Sequence, residues 1–190
     1  MSFRLCYSRW TEHTGTVGGR LITRTLHRIS LAVLAAIALC TAAPQARAQQ
    51  EPGFLTFGVG AFDFHRDDAA AQFELQYRPE LKLWIFNPMI GASGTTDGTL
   101  YGYAGLSVDF FFGNRIVLRP SVAAGAYHRG NGRDLGGTLE FRSGLELGYR
   151  FDDRSRLGLE ISHRSNASIY EDNPGEETLM LFYHLPLSKL

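Results

Sequence analysis

Residues 138–151 read Thr-Leu-Glu-Phe-Arg-Ser-Gly-Leu-Glu-Leu-Gly-Tyr-Arg-Phe, a strict two-residue alternation. Successive side chains of a strand point to opposite faces, so this run has two unlike surfaces. Leu139, Phe141, Ser143, Leu145, Leu147, Tyr149 and Phe151 share one face; Thr138, Glu140, Arg142, Gly144, Glu146, Gly148 and Arg150 share the other. Alternation this long marks a β-strand with one apolar and one charged side. It does not say which side is inside. A soluble ligand-binding barrel turns the apolar face inward, and an outer-membrane barrel turns it outward.

The same period extends in both directions. Eight segments alternate in this way: 54–65, 70–79, 81–93, 99–112, 115–128, 137–151, 156–168 and 177–187. Gly, Asn, Asp and Pro clusters separate them, with Gly113-Asn114 marking a tight hairpin and Asp152 to Ser155 a second short turn. Pro88 and Gly91 interrupt the third segment. The expected fold is an all-β, eight-stranded antiparallel barrel.

Charge decides between the two orientations. The polar faces carry Glu74, Asp109, Glu140, Glu146 and Glu160 against Arg78, Arg119, Arg142, Arg150 and Arg164. Five acids matched by five arginines, with glycines among them, can fill a narrow interior with paired charges. A solvated surface is richer in lysine, yet from Gln49 onward there are only Lys82 and Lys189. Tyr77, Tyr127, Tyr149 and Tyr183 fall near strand ends, as an interfacial aromatic girdle requires. The apolar face is therefore expected to meet lipid.

The N-terminal part supports export. Ile29 to Ala43 is a short apolar run preceded by Arg20, Arg24 and Arg28 and followed by Ala46-Arg47-Ala48. That order is a secretory signal peptide, expected to span 1–48, and the run is short for a spanning helix. The alternative is a retained N-terminal anchor. The barrel domain is then 49–190, with 13 basic and 18 acidic residues and a net charge of −5. An acidic product of this kind does not bind nucleic acid by neutralising phosphates. Both cysteines, Cys6 and Cys40, lie in the presequence, which excludes disulfides, thiolate zinc sites and a cysteine nucleophile from the barrel. His65, His128 and His184 lack metal-ligand spacing and read as rim or solvated residues. Asp67-Asp68 and Glu171-Asp172 read as solvated turns, the alternative being loop acids that bind a divalent ion with lipid phosphates. No metal and no cofactor are expected.

In the last two segments three polar residues break the apolar rows. In the seventh segment Leu157, Leu159 and Ile161 are continued by His163 and Ser165, while Arg164 and Asn166 lie on the other face. In the eighth, Glu177 heads the row Leu179, Leu181, Tyr183, Leu185, and its neighbour Glu176 falls on the opposite side. The short connection pairs these strands antiparallel, which brings Glu177 beside His163 and Ser165 at one rim. A serine hydroxyl is a weak nucleophile until an imidazole accepts its proton, and the imidazole needs an acid to fix its tautomer. Asn166 and nearby backbone N–H groups supply candidate oxyanion donors. The other reading places all three in the lipid headgroup zone, where polar residues are ordinary.

The run His163-Arg164-Ser165-Asn166-Ala167, then Asn173, Gly175 and Glu177 and the ending Leu181-Phe182-Tyr183-His184-Leu185-Pro186, resembles the PagL family of lipid A 3-O-deacylases. The resemblance implies an eight-stranded outer-membrane barrel of a Gram-negative bacterium that hydrolyses an ester-linked acyl chain of lipid A. It also implies roles: Ser165 nucleophile, His163 general base, Glu177 orienting acid fourteen positions after the histidine, the Asn166 side chain in the oxyanion hole, Asn173 a loop residue near the site. One departure is Ser168, where a glycine is usual. The implied partners are lipopolysaccharide and the membrane, with no nucleic acid; a monomer and a homodimer both fit. The alternative function is a non-enzymatic outer-membrane barrel that keeps the motif by descent.

Overall fold

The computed structural model describes residues 51–67 and 69–189. The expected presequence 1–48, with Cys6 and Cys40, lies outside the described residues, as does Asp68. The strands are β1 (Phe54–Phe62), β2 (Ala70–Arg78), β3 (Asn87–Thr95), β4 (Leu100–Ser107), β5 (Phe110–Phe112), β6 (Ile116–His128), β7 (Leu139–Arg150), β8 (Arg156–Ser165) and β9 (Glu176–Pro186). All pair antiparallel in the order β4-β3-β2-β1-β9-β8-β7-β6-β5, and a β4–β6 pairing closes the ring. Closure removes the free strand edge that lipid would leave without hydrogen-bond partners.

β4 and β5 are two parts of one strand, which makes the barrel eight-stranded. Both lie on β6 in one register, Ser107 opposite Ser121 and Phe110 opposite Leu118. The gap at Val108 and Asp109 faces Pro120, which has no N–H to give to the ladder. Val108 N–H still reaches the Pro120 carbonyl at 3.1 Å.

The third strand differs most from expectation. It begins at Asn87 rather than at 81. Leu83 and Phe86 exchange backbone bonds of 2.8 and 3.0 Å, closing a turn in which Trp84 adopts φ 61°. The apolar run 81–86 therefore projects from the rim as its own small hairpin, with Leu81, Leu83, Trp84 and Ile85 exposed. β1 and β8 also stop earlier than expected, where Asp63 and then Ala167 and Ser168 take positive φ.

The orientation of the faces is that of a membrane barrel. Phe73, Ile90, Val122, Leu147, Leu159 and Leu181 are exposed around the outer wall. Inside, Arg78 meets Asp109 at 2.8 Å, Arg156 meets Asp109 and Glu51 at 3.0 Å each, and Arg142 meets Glu74 at 2.9 Å and Glu160 at 2.5 Å. Arg119 pairs with Glu146. These side chains are all but completely buried, apart from the partly buried Glu51, so the lumen is filled by charge pairs. Arg156, of interior parity at the start of β8, and Glu51, which precedes β1, join a set expected to hold five arginines and five acids. Among the described residues no helix is long and apolar enough to cross a membrane.

Two aromatic expectations need correction. Tyr77, Tyr149 and Tyr183 stand on the outer wall, but Tyr127 is buried and donates its hydroxyl to the Arg133 carbonyl at 2.7 Å. Its parity on β6 is that of Arg119 and Ser121, both interior. His184 is not at a solvated rim either. It is buried in the lumen, its Nδ1 2.7 Å from Thr56 Oγ1 and its Nε2 2.9 Å from Glu146 Oε1.

The two ends of the barrel are unlike. The start of β1, the end of β9, and the connections 79–86, 113–115 and 151–155 share one rim. Loops 63–69, 96–99, 129–138 and 166–175 share the other. Outer-membrane barrels keep shorter turns on the periplasmic side and longer loops outside, which assigns the second rim to the exterior.

Candidate active site

β8 and β9 build the site close to the long-loop rim. His163 is paired directly with Glu177 across the ladder, and Nδ1 lies 3.1 Å from Glu177 Oε1. Both side chains face outward, 48% and 40% exposed. Ser165 stands two residues farther along the same face, half-buried, with Phe141 of β7 as its cross-strand partner. An imidazole that donates Nδ1–H to a carboxylate keeps its lone pair on Nε2, where a hydroxyl proton can go. The β1–β2 loop braces the acid, since Phe64 N–H donates to the Glu177 carbonyl at 3.1 Å.

Glu176 is on the other face, as parity requires. It is fully buried in the lumen, 3.5 Å from Arg164, and accepts the Thr178 hydroxyl at 2.7 Å. Arg164 lies beneath the site with its guanidinium 4.2 Å from the centre of the Tyr101 ring.

Asn166 also turns inward and is completely buried. Its amide donates to the Leu135 and Asp172 carbonyls at 2.7 Å each, and its Oδ1 accepts Ser168 N–H at 2.9 Å. Its own N–H donates to Asn173 Oδ1 at 3.0 Å. One residue thus ties the end of β8 to both neighbouring loops, a role with no signature in strand patterning. The sequence signal for it is parity, which puts Asn166 on the face of Arg164. Leu135, an isolated apolar residue in a polar loop, is the partner that sequence reasoning missed. It is buried in a cluster with Phe62, Met89, Tyr101 and Tyr127.

Ser168 holds φ 62°, and Ala167 φ 53°, so the departure from glycine sits where the backbone is left-handed. On the β7 side Tyr170 folds back over Gly137, and its hydroxyl accepts Leu139 N–H at 3.2 Å. Above the rim an open cleft of about 530 Å³ is lined by Asp134, Gly136, Asp172, Asn173 and Pro174. Among the described residues no group of three or more His, Cys, Asp or Glu side chains is arranged to hold a metal.

The chain as a whole is similar to known proteins. A sequence profile of the family described as Lipid A 3-O-deacylase (PagL) matches residues 68–186. The lipid A deacylase PagL of Pseudomonas aeruginosa is 32% identical over 88 residues, covering 46% of this chain and 49% of its own length. That of Bordetella bronchiseptica is 32% identical over 73 residues, covering 37% and 41%. The chain spans about half or less of these curated relatives. A crystal structure of the outer membrane enzyme PagL has the same fold, with a TM-score of 0.58 at 20% identity over 70% of this chain and 99% of that one.

Proposed function

The chain belongs to the lipid A 3-O-deacylase (PagL) family, and from that premise we propose that it is an outer-membrane serine esterase removing the 3-O-linked acyl chain of lipid A. The observation that carries the reading is the outward-facing row of Ser165, His163 and Glu177 on an apolar wall, close to the exterior rim. A polar group on a lipid-facing wall is unfavourable without a purpose, and a membrane lipid can reach this one sideways.

The chemistry is acyl transfer to water. Ser165 Oγ attacks the ester carbonyl while His163 Nε2 takes its proton, and Glu177 steadies the imidazolium. The tetrahedral adduct expels the sugar hydroxyl, which receives that proton. Water then attacks the acyl-serine with His163 again as base, releasing a fatty acid and free Ser165. In this reading the Asn166 backbone N–H, directly after the nucleophile, is the oxyanion donor, held at rest by Asn173 Oδ1. Such bonds tighten on the substrate only when it is bound. No cofactor takes part.

The test is a mass spectrum of lipid A from Gram-negative cells that carry or lack the protein. The expected result is a species lighter by one ester-linked acyl chain, absent with Ser165→Ala. An unchanged lipid A would leave a non-enzymatic barrel.

A further inference from the structure

The outer faces of β8 and β9 form a square of four positions at the site. His163 faces Glu177 and Arg164 faces Glu176 across the ladder. One more step of that register sets Ser165 against residue 175, so three corners carry Ser165, His163 and Glu177. The fourth is Gly175, which has no side chain.

The imidazole occupies that empty corner. A Cβ added to Gly175 would lie 2.2 Å from His163 Cε1, 2.9 Å from Nε2 and 3.3 Å from Nδ1. The first two are shorter than real Cβ contacts and the third is tight, and the ring edge they crowd is the one that carries the working nitrogen. Since the corner lies opposite Ser165, a ring leaning over it leans toward the serine row.

Backbone strain does not explain this glycine. Among the described residues the glycines with positive φ are Gly98, Gly113, Gly130 and Gly136, so alanine fits the backbone of 175. The atoms in the way belong to a half-exposed side chain that can swing aside. An added methyl is thus mild for the fold and severe for the alignment.

We propose that Gly175 is a positioning residue: its missing side chain is the berth that holds the His163 ring with Nδ1 on Glu177 and Nε2 unobstructed. The catalytic part of this rests on the esterase reading; the berth itself does not. A Cβ here displaces the imidazole, breaks its bond to Glu177 and separates base from nucleophile. Misplacement of about 1 Å at a reacting group lowers turnover on the order of 100-fold.

The experiment compares Gly175→Ala with Gly102→Ala, an outward-facing change on β4 with nothing within 4 Å of the new methyl. Barrels refolded in detergent are checked for a heat-dependent gel shift. The His163 ring nitrogens are followed by ¹⁵N NMR, with the signal identified by its loss in His163→Ala. Deacylation of purified lipid A gives kcat and KM. Gly175→Ala is expected to shift the His163 signal away from its Glu177-bonded position and to lower kcat about 100-fold with KM kept; Gly102→Ala changes neither. An unmoved His163 signal in Gly175→Ala overturns the proposal. If the wild type deacylates nothing, the esterase reading fails and the NMR comparison alone decides the berth. If Gly175→Ala does not fold, the double variant with His163→Ala must restore folding, because the clash is with the ring; a double variant that stays unfolded overturns the proposal as well.

Discussion

His163 and Glu177 are direct cross-strand partners whose side chains meet at 3.1 Å on the outside of the barrel, whereas Glu176 is sealed inside beside Arg164. Adjacent carboxylates therefore do different work, and neutral replacements separate them. Glu177→Gln removes the charge that stabilises an imidazolium and is expected to cut deacylation on the order of 100-fold or more, with the barrel intact. Glu176→Gln weakens a buried ion pair and is expected to lower the temperature of the heat-dependent gel shift, while activity per folded molecule is retained. The two readouts, rate and unfolding temperature, should move in opposite variants.

Ser165→Ala and His163→Ala are each expected to abolish acyl release and leave folding unchanged, because neither side chain is buried in the interior. Losing one member of such a set removes several orders of magnitude in rate. The check is the lipid A mass spectrum beside a gel of unboiled protein; near-normal product from either variant contradicts the assignment.

Ser168 carries φ 62° without being glycine. Left-handed backbone costs a residue with a Cβ about 1 kcal/mol, so Ser168→Gly should stabilise the barrel by up to about that amount. The Ser168 N–H bond to Asn166 Oδ1 survives the change, while the bond that Asn173 gives to the Ser168 hydroxyl at 3.3 Å is lost from an exposed place. Denaturant titration in detergent micelles measures the difference.

Arg142 is shared by Glu74 and Glu160 in the lumen. Arg142→Ala leaves both carboxylates without it, which in a buried site costs about 3–5 kcal/mol. The triple replacement Glu74→Gln, Arg142→Met, Glu160→Gln should recover most of that loss, since no charge is then stranded. Unfolding temperatures of the single and triple variants decide it.

Membrane orientation follows from the unlike rims. Residues 51–189 contain no cysteine, so single cysteines can report position. Asp134→Cys, in the 129–138 loop, should react with an impermeant maleimide on intact cells, and Asp152→Cys, in the 151–155 turn, only after lysis. Reversed labelling would put the site in the inner leaflet.

Strand parity was the most legible feature, since a two-residue period assigns every side chain to a face without knowing its partners. It placed His163, Ser165 and Glu177 together and Glu176 apart. It failed at 81–86, where apolar residues close a turn on themselves, because hydrophobicity alone does not distinguish a wall from a protruding hairpin. Tyr127 and His184 were misread by residue type although their parity was interior. The bonds of Asn166 to Leu135 and Asp172 depend on where two loops fold, and nothing in a strand pattern carries that.

The position of Ser165 on the outer wall, with the lumen packed solid by arginine–carboxylate pairs, changes what concentration means for this protein. Under the proposed esterase reading its substrate is counted per area of leaflet, not per volume of solution, and arrives by two-dimensional diffusion. Diluting lipid A with inert phospholipid inside one vesicle should slow the reaction in proportion. Adding more buffer around the same vesicles should leave the rate per barrel untouched.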